Sequence, residues 1–170
     1  DCRPMKLIDQ SLSAESDEAL FRLEPDGRFR PRCGACGAPA RSVHSRSRKF
    51  VRDLNLADRQ VLLQVEHRKV YCDACHGVRV EELDFVDTSK RVTRRLAAYA
   101  AELCRVGLPI TTVAEHLDLS PNTVKDIEQA ALEAEFGMPD YTGLRRLAID
   151  EIAIRKRHSY MTIIMDYDTG

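Results

Sequence analysis

Four of the six cysteines form two pairs whose spacing could bind a metal ion. Two residues separate Cys33 from Cys36 and Cys72 from Cys75, and 35 residues lie between the pairs. Two intervening residues let the chain fold back so that both thiolates face one ion, and zinc takes four such ligands at tetrahedral angles. The pattern predicts a structural zinc site with no open coordination position. The alternative is a pair of unmetallated thiol turns or a redox motif, although a redox pair is normally single and begins a helix.

Other residues near the two pairs are not needed as ligands. Cys104 lies in a helical segment and is predicted to be a small buried hydrophobic residue. His67 and His76 are predicted to be surface groups or neighbours of the zinc ligands. Gly37 and Gly77 lie just after the pairs, one and two residues beyond the last cysteine, and suit tight turns.

Basic residues are concentrated around the paired cysteines. The whole chain has 26 Lys+Arg, 27 Asp+Glu and a net charge of −1. Residues 28–95 alone carry +8, whereas residues 1–27 carry −4 and residues 96–170 carry −5. A localised basic patch is typical of a phosphate-binding surface, although a merely solvated surface remains the alternative. The predicted phosphate-contacting residues are Arg41, Arg46, Arg48, Lys49, Arg52, Arg59, Arg68 and Lys69.

Strands are expected to position the cysteines. Residues 3–24 form a short amphipathic segment, and residues 61–71 alternate so that Leu63, Val65 and His67 share one face. Short strands beside CxxC pairs are typical of a small β zinc ribbon, and the residues between the pairs would form a hairpin or three short strands.

Three helices are predicted from 91 to about 136, where the apolar period becomes helical. Gly107–Pro109 ends the first helix, Thr111–Leu117 forms a second, and Ser120 caps a third that begins at Pro121. Val113, Ala114, Leu117, Val124 and Ile127 are expected to face inward. The proportions match a helix-turn-helix, a motif that puts the start of its second helix in the DNA major groove.

The candidate DNA-facing residues of the third helix are Asn122, Thr123, Lys125 and Asp126. Lys125 is the one basic residue in its first turns, and residues 96–170 are acidic overall. A plain helical hairpin therefore remains the alternative.

Two further strands, 147–154 and 160–166, contain a pair of acidic residues, Asp150 and Glu151. A carboxylate in an apolar strand is costly unless it binds a partner such as a metal ion. Because neighbouring residues point to opposite faces of a strand, Glu151 would not share a site with Asp150. The alternative is that Asp150 is a surface residue on an edge strand.

Composition limits the class of protein. Hydrophobic residues make up 44% and charged residues 31%, which excludes a disordered or collagen-like chain. The chain contains no apolar run near ~18 residues, so no transmembrane helix is predicted. The first residues do not form a secretory signal, which predicts a cytoplasmic protein with reduced thiols. The end just after an apolar strand indicates a fragment cut within a domain.

The order of these motifs resembles one family. CGACG, HRKVYCDACH, VAEHLDLSPNTVKDIE and LAIDEIAIRKRHSYMTIIMDYDTG together resemble insertion-sequence transposases of the IS-L-three type. The resemblance covers nearly all of residues 28–170. It implies an α+β chain of several modules: an N-terminal segment (1–27), a zinc ribbon (28–88), a helix-turn-helix domain (89–138) and the first β-hairpin of a truncated ribonuclease-H-like domain (139–170).

The resemblance also implies a reaction. Asp150 matches the first of three acidic residues (DDE) that hold Mg²⁺ or Mn²⁺ for DNA strand cleavage and transfer in the complete protein. The matching second Asp and the Glu are missing here, so this chain is expected to bind DNA without cutting it. The implied partners are double-stranded transposon inverted repeats and a second copy of the complete protein, in the bacterial cytoplasm at the nucleoid. The alternatives are a zinc-ribbon and helix-turn-helix transcription regulator without catalytic activity and a structural zinc protein that binds another protein.

Overall fold

A computed structural model describes residues 5–13, 17–87, 91–137, 142–155 and 159–168. The chain divides into two compact units, one ending at Leu132 and the other beginning at Glu133. The described elements, in chain order, are β1 (Met5–Leu12), β2 (Glu18–Pro25), β3 (Ser42–Leu56), β4 (Arg59–Cys72), β5 (Gly77–Val80), β6 (Val86–Asp87), β7 (Val92–Thr93), α1 (Arg94–Arg105), α2 (Ile110–Leu117), α3 (Pro121–Phe136), β8 (Leu147–Arg155) and β9 (Ser159–Asp166).

The first unit is built on one sheet with the strand order β1-β2-β4-β3-β7-β6, and β5 also pairs with β4. The long β3–β4 hairpin fills most of the interval between the two cysteine pairs, as one of the two sequence alternatives predicted. The amphipathic segment at the start of the chain forms β1 and β2, and β2 pairs with β4 in parallel from Glu18 opposite Gln60 to Leu23 opposite Val65. The strands β1 and β2 are therefore part of the same sheet as the hairpin.

One face of β4 forms the centre of the sheet core. Val61, Leu63 and Val65 are buried together with Val51 of β3 and residues of β2. The predicted alternation is confirmed, and it extends to His67, which is buried on this face rather than at the surface. Burial lowers the pKa of His67, and the nearby Lys49 ammonium lowers it further.

A second core holds the three helices together, and the predicted helices are confirmed with shifts of a few residues at most. Ser120 caps α3, because its Oγ accepts a hydrogen bond from the Thr123 N–H at 3.0 Å. Asp118 ends α2 in the left-handed conformation, with φ of 49°. Cys104 is half-buried at the edge of this core rather than fully buried, and burial raises the pKa of its thiol. The buried members are Val92, Leu96, Ala100, Val113, Ala114, Leu117, Val124 and Ile127.

Asp53 of β3 joins the sheet to the first helix. Its carboxylate, 2% exposed, accepts hydrogen bonds from Thr93 Oγ1 at 2.6 Å, from Arg95 Nε at 2.6 Å and from the Leu54 N–H at 2.9 Å. Thr93 is also the N-cap of α1, where its hydroxyl accepts from the Leu96 N–H. Burial alone would raise the pKa of Asp53, but the bonds from Arg95, Thr93 and Leu54 lower it below its usual value. The carboxylate is therefore ionised and holds the start of α1 against the sheet.

Asp53→Asn is expected to destabilise the first unit by about 1.5–3 kcal/mol at pH 7, the range for hydrogen bonds to a charged group. The amide keeps an acceptor for Thr93 but turns an N–H₂ group toward Arg95. Urea unfolding of zinc-loaded protein measures the effect. Asp58→Asn, at the exposed tip of the same hairpin, is the matched control and should change stability by less than about 0.5 kcal/mol. Equal midpoints for the two variants would contradict this role of Asp53.

The second unit contains the predicted β8–β9 hairpin, paired from Leu147 opposite Asp166 to Arg155 opposite Ser159. Several of its large apolar side chains, among them Ile149, Ile152 and Ile164, are exposed. In the described part of the chain no helix is long and apolar enough to cross a membrane.

Candidate metal centre and nucleic-acid interface

The four paired cysteines lie together, with their Sγ atoms all within 4.8 Å of one another. Cys33 Sγ is 3.9 Å from Cys75 Sγ, and Cys36 Sγ is 3.5 Å from Cys72 Sγ. Four sulfurs bound to zinc at about 2.3 Å in a tetrahedron would be about 3.8 Å apart. The geometry therefore fits one zinc ion held by all four thiolates.

Tight backbone turns bring each pair of cysteines to this centre. In the first turn the Gly37 N–H donates to Cys33 O at 2.8 Å, and Gly37 takes φ of 70°. In the second turn the left-handed residue is His76, with φ of 49°, and Gly77 follows it. Position 34 requires glycine for a different reason: a Cβ atom there would lie only 2.8 Å from Val80 O of the neighbouring strand.

Hydrogen bonds at the centre favour a thiolate at Cys33. The Ala35 N–H points at Cys33 Sγ from 3.4 Å, and this bond is the main reason that the pKa of Cys33 is lowered to about 7. The pKa of Cys75 is raised to about 12, first by its hydrogen bond with Cys36 and then by burial. Four thiols this close cannot all ionise without a cation among them, which is the role that zinc would fill.

A buried ion pair attaches the centre of β4 to the chain that follows β5. Arg68 and Glu81 are 7% and 1% exposed, and they form a two-pronged pair in which Arg68 Nε is 2.5 Å from Glu81 Oε2. The Glu81 N–H also donates to Arg68 O at 2.9 Å, and Glu81 forms a β-bridge with Cys33. The ion pair is therefore linked to the metal centre through the backbone pairing of Glu81 with Cys33.

The structure assigns different environments to the eight basic residues predicted to contact phosphate. Arg41, Arg46, Arg48, Lys49 and Lys69 are exposed. Arg59 is half-buried, and its Nη1 donates to Ser13 O at 2.8 Å. Arg68 is buried in its ion pair with Glu81. Arg52 is half-buried, and its guanidinium donates to backbone oxygens, so we leave Arg52 and Arg68 out of the candidate phosphate surface.

The exposed members of the set do not form one patch. Strand alternation and register put Arg46 and Arg48 on the same face of the sheet as Arg52 and Gln60, whereas Lys49 lies on the opposite face. Lys69, opposite Ser45, shares the face of Lys49. Arg46 is in addition paired with Glu66 at 2.9 Å. A rigid duplex lying against one face of this sheet would meet Arg48 or Lys49, but not both.

The start of α3 presents the residues that the sequence predicted. Asn122, Lys125 and Asp126 are exposed, while Val124 and Ile127 are buried in the helical core. Thr123 is half-buried, and its hydroxyl is 2.8 Å from Ser120 Oγ. Asn122 and Lys125 are therefore free to meet a partner, and Thr123 is engaged in the cap.

Asp150 is exposed on β8, opposite Ile163 of β9, and its Oδ1 accepts from the Glu151 N–H at 2.8 Å. Among the described residues, the structure brings three or more potential metal ligands together only at the four cysteines. Asp150 does not belong to this cluster. One carboxylate does not hold a divalent ion, so we derive no chemical step at Asp150 from this structure.

Sequence reasoning missed Glu81, Gln60 and the structural use of Arg68. The sequence did contain a signal for the Arg68–Glu81 pair. A tight turn after Cys72 pairs Cys72 with Gly77, and continuing this antiparallel register by four residues on each strand brings Arg68 opposite Glu81. No comparable signal linked β3 or β4 to α2, because those contacts depend on how the helices lie against the sheet.

Comparison with known proteins matches two parts of this chain to family models. Residues 30–75 match the zinc-finger of transposase IS204/IS1001/IS1096/IS1165. Residues 81–131 match the helix-turn-helix domain of transposase family ISL3. No solved structure matches.

Curated relatives extend the comparison. A transposase for insertion sequence element IS1001 of Bordetella parapertussis is 37% identical over 79% of this chain and 33% of the relative. Transposases for insertion sequence element IS1557 from two strains of Mycobacterium tuberculosis are 27% identical over 97% of this chain and 38% of each relative. The chain thus spans between 33% and 38% of the length of these relatives.

Proposed function

We propose that this chain is the DNA-binding portion of a transposase, because residues 30–75 and 81–131 match the zinc-finger and helix-turn-helix domains of transposases. Its ligand is the double-stranded terminal inverted repeat of the element. The observation that carries the proposal is that both matched regions lie in one compact unit. In this unit the four-cysteine centre and the helices α2 and α3, of which α3 is capped by Ser120, are joined through the β3–β4 hairpin.

The four thiolates of Cys33, Cys36, Cys72 and Cys75 would bind one structural zinc ion. All four coordination positions are filled by protein, so this ion stabilises the turns and takes no part in catalysis. The surrounding strands form the zinc ribbon, and α2 and α3 form the helix-turn-helix.

Two surfaces are proposed to contact DNA. Asn122 and Lys125 at the start of α3 meet base edges in the major groove. Arg48, and Arg46 beside it, meet phosphates from the β3 face that also carries Arg52 and Gln60. We favour this face over that of Lys49 for two reasons. Arg52 and Gln60, which share it with Arg48, contact the residues that lead into α3, and the face of Lys49 carries the buried core residues Val51 and Val65.

The second unit is proposed to begin a ribonuclease-H-like catalytic domain, with Asp150 as the first ligand of Mg²⁺ or Mn²⁺ in the complete transposase. DNA strand cleavage and transfer, and self-association, are proposals for that complete protein. Residues 1–170 alone are expected to bind DNA without cleaving it, because Asp150 belongs to no group of three or more potential metal ligands among the described residues.

Binding of zinc-loaded residues 1–170 to a duplex carrying the inverted repeat, against a scrambled duplex, tests the proposal. We expect affinity for both duplexes to fall as salt rises from 50 to 200 mM, in the manner of phosphate contacts. Arg48→Gln should reduce the slope of log affinity against log salt by about 0.9, whereas Lys49→Gln should leave it unchanged. Asn122→Ala should lower discrimination between the duplexes by about 1–3 kcal/mol. Fluorescence anisotropy measures all three quantities.

The adjacent residues Arg48 and Lys49 form a matched pair, since both are exposed cations of one strand and differ in the face they occupy. If only Lys49→Gln reduced the slope of log affinity against log salt, the DNA would bind the face of Lys49 and not that of Arg48. Equal affinity of the unaltered protein for repeat and scrambled duplexes at every salt concentration would contradict sequence recognition.

A further inference from the structure

Arg52 of β3 is attached to the end of α2. Its Nη2 donates to Leu117 O at 2.9 Å, and Leu117 is the last residue of that helix. The same nitrogen lies 3.2 Å from Asn55 Oδ1, and Nη1 donates to Asp53 O and Val61 O at 3.2 Å each. A guanidinium at a helix C-terminus satisfies a carbonyl that has no partner within the helix. One side chain thus fastens the β3–β4 hairpin to the end of α2.

Gln60 of β4 makes a second attachment next to the first. Its Nε2 donates to the Asp118 carboxylate. Asp118 is the left-handed residue that ends α2 and begins the turn into α3. Side chains of the hairpin therefore hydrogen-bond to both residues at the start of this turn, Leu117 and Asp118. Leu117 also packs in the helical core.

The turn between the two helices sets the direction in which the second helix leaves. In a helix-turn-helix this direction decides how the second helix enters the major groove. Here the turn is fixed to the hairpin that also presents Arg48, on the face shared by Arg48, Arg52 and Gln60. These two contacts therefore help to set the spacing between the α3 surface and the Arg48 surface, together with the bonds of Asp53 to the start of α1.

Building on the proposed function, we propose that Arg52 and Gln60 are positioning residues that lock the α2–α3 turn to the β3–β4 hairpin. The α3 surface and the Arg48 surface then read two neighbouring segments of one duplex at a fixed spacing. Arg52 itself touches no phosphate, and its effect on binding reaches the DNA through α3.

Arg52→Gln separates positioning from phosphate contact. We expect about tenfold weaker binding to the repeat duplex, the factor for a lost hydrogen bond to a charged group, with an unchanged salt slope and unchanged binding to scrambled DNA. Hydroxyl-radical footprints should lose protection from α3 and keep protection from the Arg48 surface. Gln60→Ala should have the same effect to a smaller extent, and Arg52→Lys should restore part of the affinity. Zinc content and circular dichroism verify folding of each variant.

A salt slope that falls by about 0.9 in Arg52→Gln, with equal loss on both duplexes, would make Arg52 a phosphate contact and overturn the proposal. Unchanged affinity in both Arg52→Gln and Gln60→Ala would overturn it as well.

Amide hydrogen exchange of the free protein tests the attachment without DNA. Exchange at residues 117–120 should be faster in Arg52→Gln than in the unaltered protein, and unchanged in Lys49→Gln. If the unaltered protein shows no preference for the repeat, the proposed function fails, and exchange still decides whether the turn is held. Equal exchange in Arg52→Gln and the unaltered protein would then overturn the positioning role.

Discussion

Cys36→Ser is expected to abolish zinc binding and to unfold the region around the four cysteines. The variant retains three thiolates of a site whose geometry needs four, and Cys33 and Cys72 are buried with 0% exposure. Structural zinc contributes about 10–16 kcal/mol of apparent folding free energy in small domains. Loss of about 5 kcal/mol would already lower the Tm of a domain of this size by about 10–20 °C.

Metal analysis and thermal unfolding of the purified protein measure this effect. One zinc ion per chain is expected before the substitution and none after it, together with loss of binding to the repeat duplex. Cys104→Ala is the matched control, because Cys104 is half-buried in the helical core and lies outside the cluster. It should keep one zinc ion. A zinc-free Cys36→Ser protein with an unchanged Tm would contradict a structural role for the metal.

Glu81→Gln is expected to give the second-largest effect, a loss of about 3–5 kcal/mol in unfolding free energy. The substitution leaves the Arg68 guanidinium buried, at 7% exposure, without the opposite charge that compensates its desolvation. Because Glu81 forms a β-bridge with Cys33, the loss should also weaken zinc retention when a chelator is present. Urea unfolding at saturating zinc measures stability, and a coloured chelator measures the rate of zinc release.

The ion pair between the exposed Arg46 and the half-buried Glu66 supplies the control. It joins β3 to β4, two residues from Arg68 along β4, and Glu66→Gln should cost only about 0–1 kcal/mol, as for surface ion pairs. Replacing both buried partners, Arg68→Met with Glu81→Leu, should recover most of the stability, because no uncompensated charge remains. If Glu81→Gln cost no more than Glu66→Gln, the buried pair would not be structural in the way we infer.

Local elements were predictable from the sequence for a physical reason. Helix limits depend on caps and breakers within a few residues, and Ser120, Pro121 and Gly107 supplied them. The sheet core followed from alternation in β4. The metal centre followed from two-residue spacing, since a thiolate pair in a tight turn is itself a local structure.

The roles of single arginines were not predictable in this way. Net charge counts every guanidinium equally, but Arg52 is bonded to Leu117, 65 residues away, and Arg68 is buried against Glu81. Burial and partners at that distance depend on how elements pack, and strand alternation does not reveal them. The parallel pairing of β2 with β4 is another long-range contact of this kind.

By itself, the sequence determined where the helices and hairpins form and which four side chains can hold zinc, because these features depend on neighbours along the chain. It also determined the resemblance to a transposase family, which the matched zinc-finger and helix-turn-helix regions confirm. Only the tertiary structure decided which cations of the basic segment remain free for a duplex. The exposed cations are divided between two faces of one sheet. Arg52 and Arg68 instead join structural elements, because a buried charge is stable only when groups of the protein compensate it.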